Sequence, residues 1–230
     1  AKGSRMTAVL EGSRLPLRAV DAEPAIGHAA RALLECQRGD GHWVFELEAD
    51  ATIPAEYVLL RHYRGEPRDT DLEQKIAVYL RLVQGKHGGW PLYHQGDFDM
   101  SASVKAYFAL KMIGDGPDAP HMRQAREAIL ARGGAVHCNV FTRVLLSLYG
   151  ILDWRSVPEM PVEITLLPKW FPFHLSKVSY WARTVLVPLL VLQALRPRAK
   201  NPLRVTIDEL FLGPPRSIGP AAKAPHQRWI

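Results

Sequence analysis

The chain of 230 residues is 47% hydrophobic and 23% charged, ordinary values for a globular protein and enough for one good-sized domain or a domain with tails. Its net charge of +6 sits at the ends: residues 1–20 hold four basic and one acidic residue, residues 214–230 hold three basic and no acidic residue, and the 22 charges of each sign between them cancel. Basic ends without a basic folded face argue against nucleic-acid binding, which gathers Lys and Arg on one structured surface, and leave contact with anionic lipid open.

Residues 1–20 contain no apolar core of signal-peptide length and are expected to form a flexible basic arm. A helix is predicted from Asp21, with Pro24 in the first turn, where proline is tolerated, and Ile26, Ala29, Ala30, Leu33 and Leu34 on one face. An acidic connection over residues 45–50 leads to a helix over Thr52–Tyr63. Within it Glu56 lies among apolar neighbours and reads either as a local i,i+4 or capping carboxylate or as a functional one. Gly65-Glu66-Pro67 ends that helix, and Asp69 to Asp71 cap the next, whose Ile76, Tyr79, Leu80 and Val83 share a face. Past Trp90, Asp97 and Asp99 read as loop and N-cap residues, with a Mg²⁺ site for a diphosphate as the alternative. Helices are predicted over Ser101–Met112 and Gln124–Arg132, the latter stopped by Gly133-Gly134.

His137-Cys138 has no second Cys or His at ligand spacing, so no metal site is expected. Cys36 and Cys138 both fall in helical patterns and are expected to be buried, reduced thiols. The most apolar run, Thr184–Leu195, is shorter than the roughly 20 residues a membrane span needs. It contains Pro188 and is followed by Arg196, Arg198, Lys200 and Arg204. It reads as a buried helix or as an apolar patch with a basic rim against a bilayer surface. A short helix is predicted over Pro202–Leu212, and Gly213-Pro214-Pro215 opens an extended tail.

One pattern recurs along this chain. Gln84, Gly88 and Trp90 stand in the spacing Q-x-x-x-G-x-W, and Gln37, Gly41 and Trp43 repeat it. A Gln reaching free backbone groups at a helix end, with an indole packed on the next turn, would staple one helix to its neighbour. The third helix keeps only its glycine pair, and recurrence at about 45 residues suggests stacked helical repeats.

With AEYVLL at 55–60, VFTR at 140–143, SYWAR at 179–183 and LGPPR at 212–216, these turns resemble the squalene–hopene cyclase and oxidosqualene cyclase family over about residues 22–228. The resemblance implies an all-α fold, an α/α barrel of stacked helical hairpins whose QW-type turns brace it, over residues 21–213. Residues 214–230 would lead to a catalytic domain outside this chain. It further implies that Phe141 and Trp181 face a hydrophobic substrate cavity, where core packing is the plainer reading of each. Glu56 matches an acidic position of the family, whereas Lys105 stands where similar cyclases often have Glu, and Ala32 where the motif prefers an aromatic.

The implied reaction protonates the terminal alkene of squalene and ends, after a cation cascade, in hopene or hopanol. It calls for no metal and no redox cofactor. The implied setting is the cytoplasmic face of a bacterial membrane, and a homodimer is allowed. The acid motif D-x-D-D occurs nowhere in the 230 residues; the sequence 97–100 breaks it at Met100. The chain is therefore expected to be the N-terminal part of such an enzyme and inactive alone. The rival reading is a non-enzymatic α/α-barrel module that binds lipid or serves as a scaffold.

Overall fold

A computed structural model describes residues 22–44, 49–159, 162–172 and 174–215. The expected arm over residues 1–20, residues 45–48 of the acidic connection and residues 216–230 of the expected tail lie outside these. The described residues form seven α-helices and short 3₁₀ turns, with one isolated bridge between Trp90 and Asp99 and no strand among them. The chain divides into two compact units, Ala1–Glu48 and Ala49–Ile230.

In the first unit, α1 (Ala22–Cys36) carries Pro24 in its first turn and leads into a tight turn. None of its residues is buried, and Cys36 is exposed rather than buried as expected. Its thiol ends a helix whose apolar residues Ile26, Leu33 and Leu34 are themselves exposed, so position in a helical pattern did not give burial.

The second unit contains α2 (Thr52–Arg64), α3 (Thr70–Leu82), α4 (Met100–Ile113), α5 (Pro120–Leu130), α6 (Val140–Leu148) and α7 (Tyr180–Leu195). The helix starts follow from short polar side chains. Asp69, Asp99, Asn139 and Ser179 each accept a hydrogen bond from a backbone N–H in the following turn, satisfying a donor that the helix itself cannot. Pro120 opens α5, where its missing N–H costs nothing. At the end of α2, Gly65 takes the left-handed conformation (φ 66°) and donates to the carbonyls of Arg61 and His62.

The centre of this unit is α4. Its sequence is apolar nearly all round, and twelve of its fourteen residues are buried, as expected of a helix enclosed on every side. It packs against α2 and α6 on some flanks and α3 and α5 on others. Ser101 near its start accepts from the N–H of Asn139 before α6, and Phe108 farther along stacks edge-to-face on Tyr149 after α6. Lys105 meets Glu56 of α2, and Tyr149 donates to the carbonyl of Leu59 of α2. These paired contacts make α2, α4 and α6 run in the same sense. Alternate helices that share a direction, with α3 and α5 between them in the chain, are an all-α arrangement in keeping with an α/α barrel.

The segment 198–213 corrects one expectation. Residues 202–212 form no helix; a single 3₁₀ turn at Asp208–Leu210 is the only regular piece. Pro202 lacks a donor, and Asn201 and Arg204 take positive φ. The segment is fixed by tertiary bonds: Ala199 and Lys200 donate to Leu148 and Tyr63, Glu209 accepts from Tyr107 and pairs with Lys111, and Ile207 and Leu210 are fully buried. Within it, burial alone would raise the Glu209 carboxyl, but the Lys111 ammonium and the Tyr107 hydroxyl hold it below the usual carboxylate range.

Candidate functional site

The Gln-Gly-Trp turn of the second unit is built from the end of α3. The Gln84 amide nitrogen donates to the carbonyls of Gly88 (2.6 Å) and His121 (3.0 Å), and the Trp90 indole donates to the carbonyl of Leu80 (2.7 Å). Trp90 is wholly buried, and its own N–H donates to the Ser103 hydroxyl on α4. One residue cluster thus fastens α3, α4 and the start of α5. Gly88 is required twice over: its φ is 89°, and a Cβ there would come within 2.9 Å of the Gln124 carbonyl oxygen. The turn of the first unit has the same bonds, from Gln37 to the Gly41 carbonyl (2.7 Å) and from the Trp43 indole to the Leu33 carbonyl (2.6 Å).

Because α2, α4 and α6 run in one sense, their early turns lie at one end of the unit. Glu56 is in the second turn of α2 and Phe141 in the first turn of α6. The flank of α4 between them carries Ser101 and, one turn on, Lys105. Lys105 is only 7% exposed and forms an ion pair with Glu56, whose side chain is nearly half exposed. Glu56 is thus neither an N-cap nor half of an i,i+4 pair; its partner comes from another helix.

Phe141 is half exposed. Its neighbour Arg143 donates to the carbonyls of Val136, Cys138 and Ser156, which locks the loop before α6 to the 3₁₀ turn after it. Between them Cys138 is buried as expected, and burial pushes its thiol up to about 11, against smaller opposing effects of Arg143 and Lys105. Trp181, in the first turn of α7, is 78% exposed, and no distance ties it to Phe141 or Glu56. Of α7 only Leu190 is buried; Val185, Val187, Val191 and Leu195 are exposed beside the basic residues that follow. Among the described residues no helix is long and apolar enough to cross a membrane. Asp99 caps α4, whereas Asp97 is exposed in the preceding loop and caps nothing.

Two features were invisible in sequence. One is the Lys105–Glu56 pair, for which the only signal was a lysine inside the buried run SVKAYFAL. The other is an apolar hollow of ≈ 470 Å³ between α2 and α3, walled by Ile53, Tyr57, Leu72, Ile76 and Tyr79.

The family model of the squalene-hopene cyclase N-terminal domain matches residues 26–230. The chain belongs to this family. It is 70% identical over 205 residues to a squalene–hopene cyclase of Bradyrhizobium diazoefficiens, covering 89% of this chain and 31% of that protein. It is 66% identical over 192 residues to one of Zymomonas mobilis (84% of this chain, 29% of the relative) and 37% identical over 196 residues to one of Alicyclobacillus acidocaldarius (84% and 31%). The chain spans about a third of the length of these cyclases.

Proposed function

We propose that this chain supplies the N-terminal third of a squalene–hopene cyclase, an enzyme that folds squalene against an apolar wall and cyclises it through carbocations. The observation that carries this reading is the 70% identity to the Bradyrhizobium diazoefficiens cyclase over 205 residues. The reaction begins when a carboxylic acid protonates a terminal alkene. That acid belongs to a D-x-D-D motif, which these 230 residues do not contain, so the initiating step falls to residues beyond them. The cascade ends when a C–H bond beside the cation breaks, giving hopene, or when water adds, giving hopanol. Nothing in it calls for a metal or redox cofactor.

In this reading Phe141 and Trp181 offer aromatic faces that stabilise cationic carbon without acting as bases, and Glu56 places negative charge near the same wall. The Gln84-Gly88-Trp90 turn braces α3, α4 and α5 of the unit that carries this wall. The exposed apolar residues of α7, with Arg196, Arg198, Lys200 and Arg204 after them, form a surface suited to the cytoplasmic face of a membrane in which squalene dissolves. Homodimer formation is part of the same proposal.

The test is turnover. A full-length protein carrying this chain, given squalene in detergent, is expected to release pentacyclic products detectable by gas chromatography with mass spectrometry, and the 230-residue chain alone is expected to release none. Absence of cyclised product from the full-length protein would refute the reading; product from the chain alone would place the initiating acid within it.

A further inference from the structure

The segment 198–213 is held in place against a backbone cost. Three non-glycine residues in or beside it, Arg196, Asn201 and Arg204, take left-handed φ values of 45°, 37° and 50°. In that conformation Cβ crowds the following carbonyl, so such residues persist only where their surroundings hold them. Asn201 offsets part of its cost: its side chain donates to the carbonyl of Val205 and accepts the Val205 N–H. Arg204 is exposed, and its side chain forms no such bond among the described residues. The opposing contacts are few. The N–H groups of Ala199 and Lys200 donate to the carbonyls of Leu148 (2.8 Å) and Tyr63 (3.0 Å), in the last turns of α6 and α2. Glu209 accepts from Tyr107 (2.9 Å) and pairs with Lys111, one turn apart on one flank of α4. Within the segment only Ile207 and Leu210 are buried. Glycine stands at two of the crossings. A Cβ at Gly65 would lie 2.7 Å from the stem of Lys200, and one at Gly134 would lie 2.9 Å from the carbonyl oxygen of Leu210.

We propose that residues 198–213 form a strained clasp that opens and closes as one unit, with Glu209 as its catch. Closed, the clasp ties the late ends of α2 and α6 to the flank of α4 that carries Tyr107 and Lys111. When Glu209 lets go, Arg196, Asn201 and Arg204 relax out of the left-handed region. The bonds to Leu148 and Tyr63 then lose their geometry, although they lie nine and ten residues away in sequence. The flank of α4 meets solvent while the helices stay formed. Segments with few buried side chains open in such cooperative units, at a free energy below that of global unfolding.

The experiment is amide hydrogen exchange, read by mass spectrometry, on the full-length protein carrying this chain. Three peptides are followed: 197–201 and 204–212 in the clasp, and 103–112 in α4. Glu209→Gln keeps the shape of the side chain and removes its charge. It is expected to speed exchange on the order of tenfold in both clasp peptides and to leave the α4 peptide unchanged. Arg204→Gly removes the crowding without touching Glu209, and is expected to slow both clasp peptides about threefold. Faster exchange of Glu209→Gln at 204–212 alone would show that the contacts act independently, and would overturn the clasp. An equal acceleration in the α4 peptide would show that Glu209 serves global stability, and would overturn it as well. If Glu209→Gln does not fold, Arg204→Gly, made at an exposed residue, carries the test; exchange at 197–201 that is then unchanged or faster would refute the proposal.

Discussion

The turns at 37–43 and 84–90 use the same three residue types, the same spacing and hydrogen bonds within 0.1 Å of each other, yet they differ in burial. Trp90 is fully enclosed, whereas Trp43 is 43% exposed. Gln84 reaches a second carbonyl on the start of α5, and Gln37 has only the glycine of its own turn. The local bonds come from eleven residues of sequence and repeat faithfully. What packs over them does not, and that decides how much each turn contributes to stability.

The sharpest way to break this comparison is to remove each indole. Trp90→Ala leaves a large cavity and an unpaired Leu80 carbonyl, and is expected to cost about 3–5 kcal/mol. That corresponds to a fall in Tm on the order of 10 °C for a domain of this size. Trp43→Ala is expected to cost about 1 kcal/mol, since nearly half of the side chain already meets solvent. Equal losses on thermal melting would mean that Trp43 is as well covered in solution as Trp90. Next come the glycines. Gly88→Ala forces a left-handed residue and pushes a Cβ into the Gln124 carbonyl, about 3 kcal/mol in all. At Gly41 the nearest atom to a new Cβ is the Gln37 amide at 3.9 Å, so only the backbone conformation counts, about 1 kcal/mol. Denaturant titration of the two alanine variants separates the steric part from the conformational one. Smaller again are the glutamines: Gln84→Ala strands two carbonyls and is expected to cost about 2 kcal/mol, Gln37→Ala at most about 1.

The same contrast explains what sequence could and could not reveal. Helix starts were legible where Asp69 and Asp99 act on backbone three residues away. The core helix α4 was legible because its apolar run has no polar face. The Gln-Gly-Trp turns close within eleven residues, so spacing alone displayed their bonds. Long-range effects left no such trace. A helix was expected over 202–212, but Ala199 and Lys200 just before it bond to Leu148 and Tyr63, and Glu209 within it bonds to Tyr107 and Lys111 of α4, all about 50 to more than 130 positions away, and these bonds hold the chain in an irregular path. Glu56 and Lys105 lie 49 residues apart, so neither could be recognised as the partner of the other. Cys36 sits in an apolar pattern that the described residues of its unit leave exposed.

Acid sharpens the comparison at its smallest scale. Behind the turn at 84–90, Asp115 accepts two hydrogen bonds from Arg81 of α3 and one from His121, the residue whose carbonyl holds Gln84. Burial alone would raise the Asp115 carboxyl, but these bonds outweigh it and hold the group below the usual carboxylate range. A folded-state value below the unfolded one means that the unfolded chain binds the proton first. The stabilisation is therefore complete above the ordinary carboxylate value, near pH 4, and is lost as pH falls through the lower folded value. The counterpart in the other turn is the Asp40–His42 pair, which is more than half exposed and contributes little. Asp115→Asn should therefore lower Tm by a few degrees at pH 7, with the gap to the unmodified chain closing as the pH is taken from 5 toward 3, while Asp40→Asn should leave the melting curve unchanged across that range. A gap for Asp115→Asn that stays constant with pH would show that the carboxylate acts there by shape and not by charge.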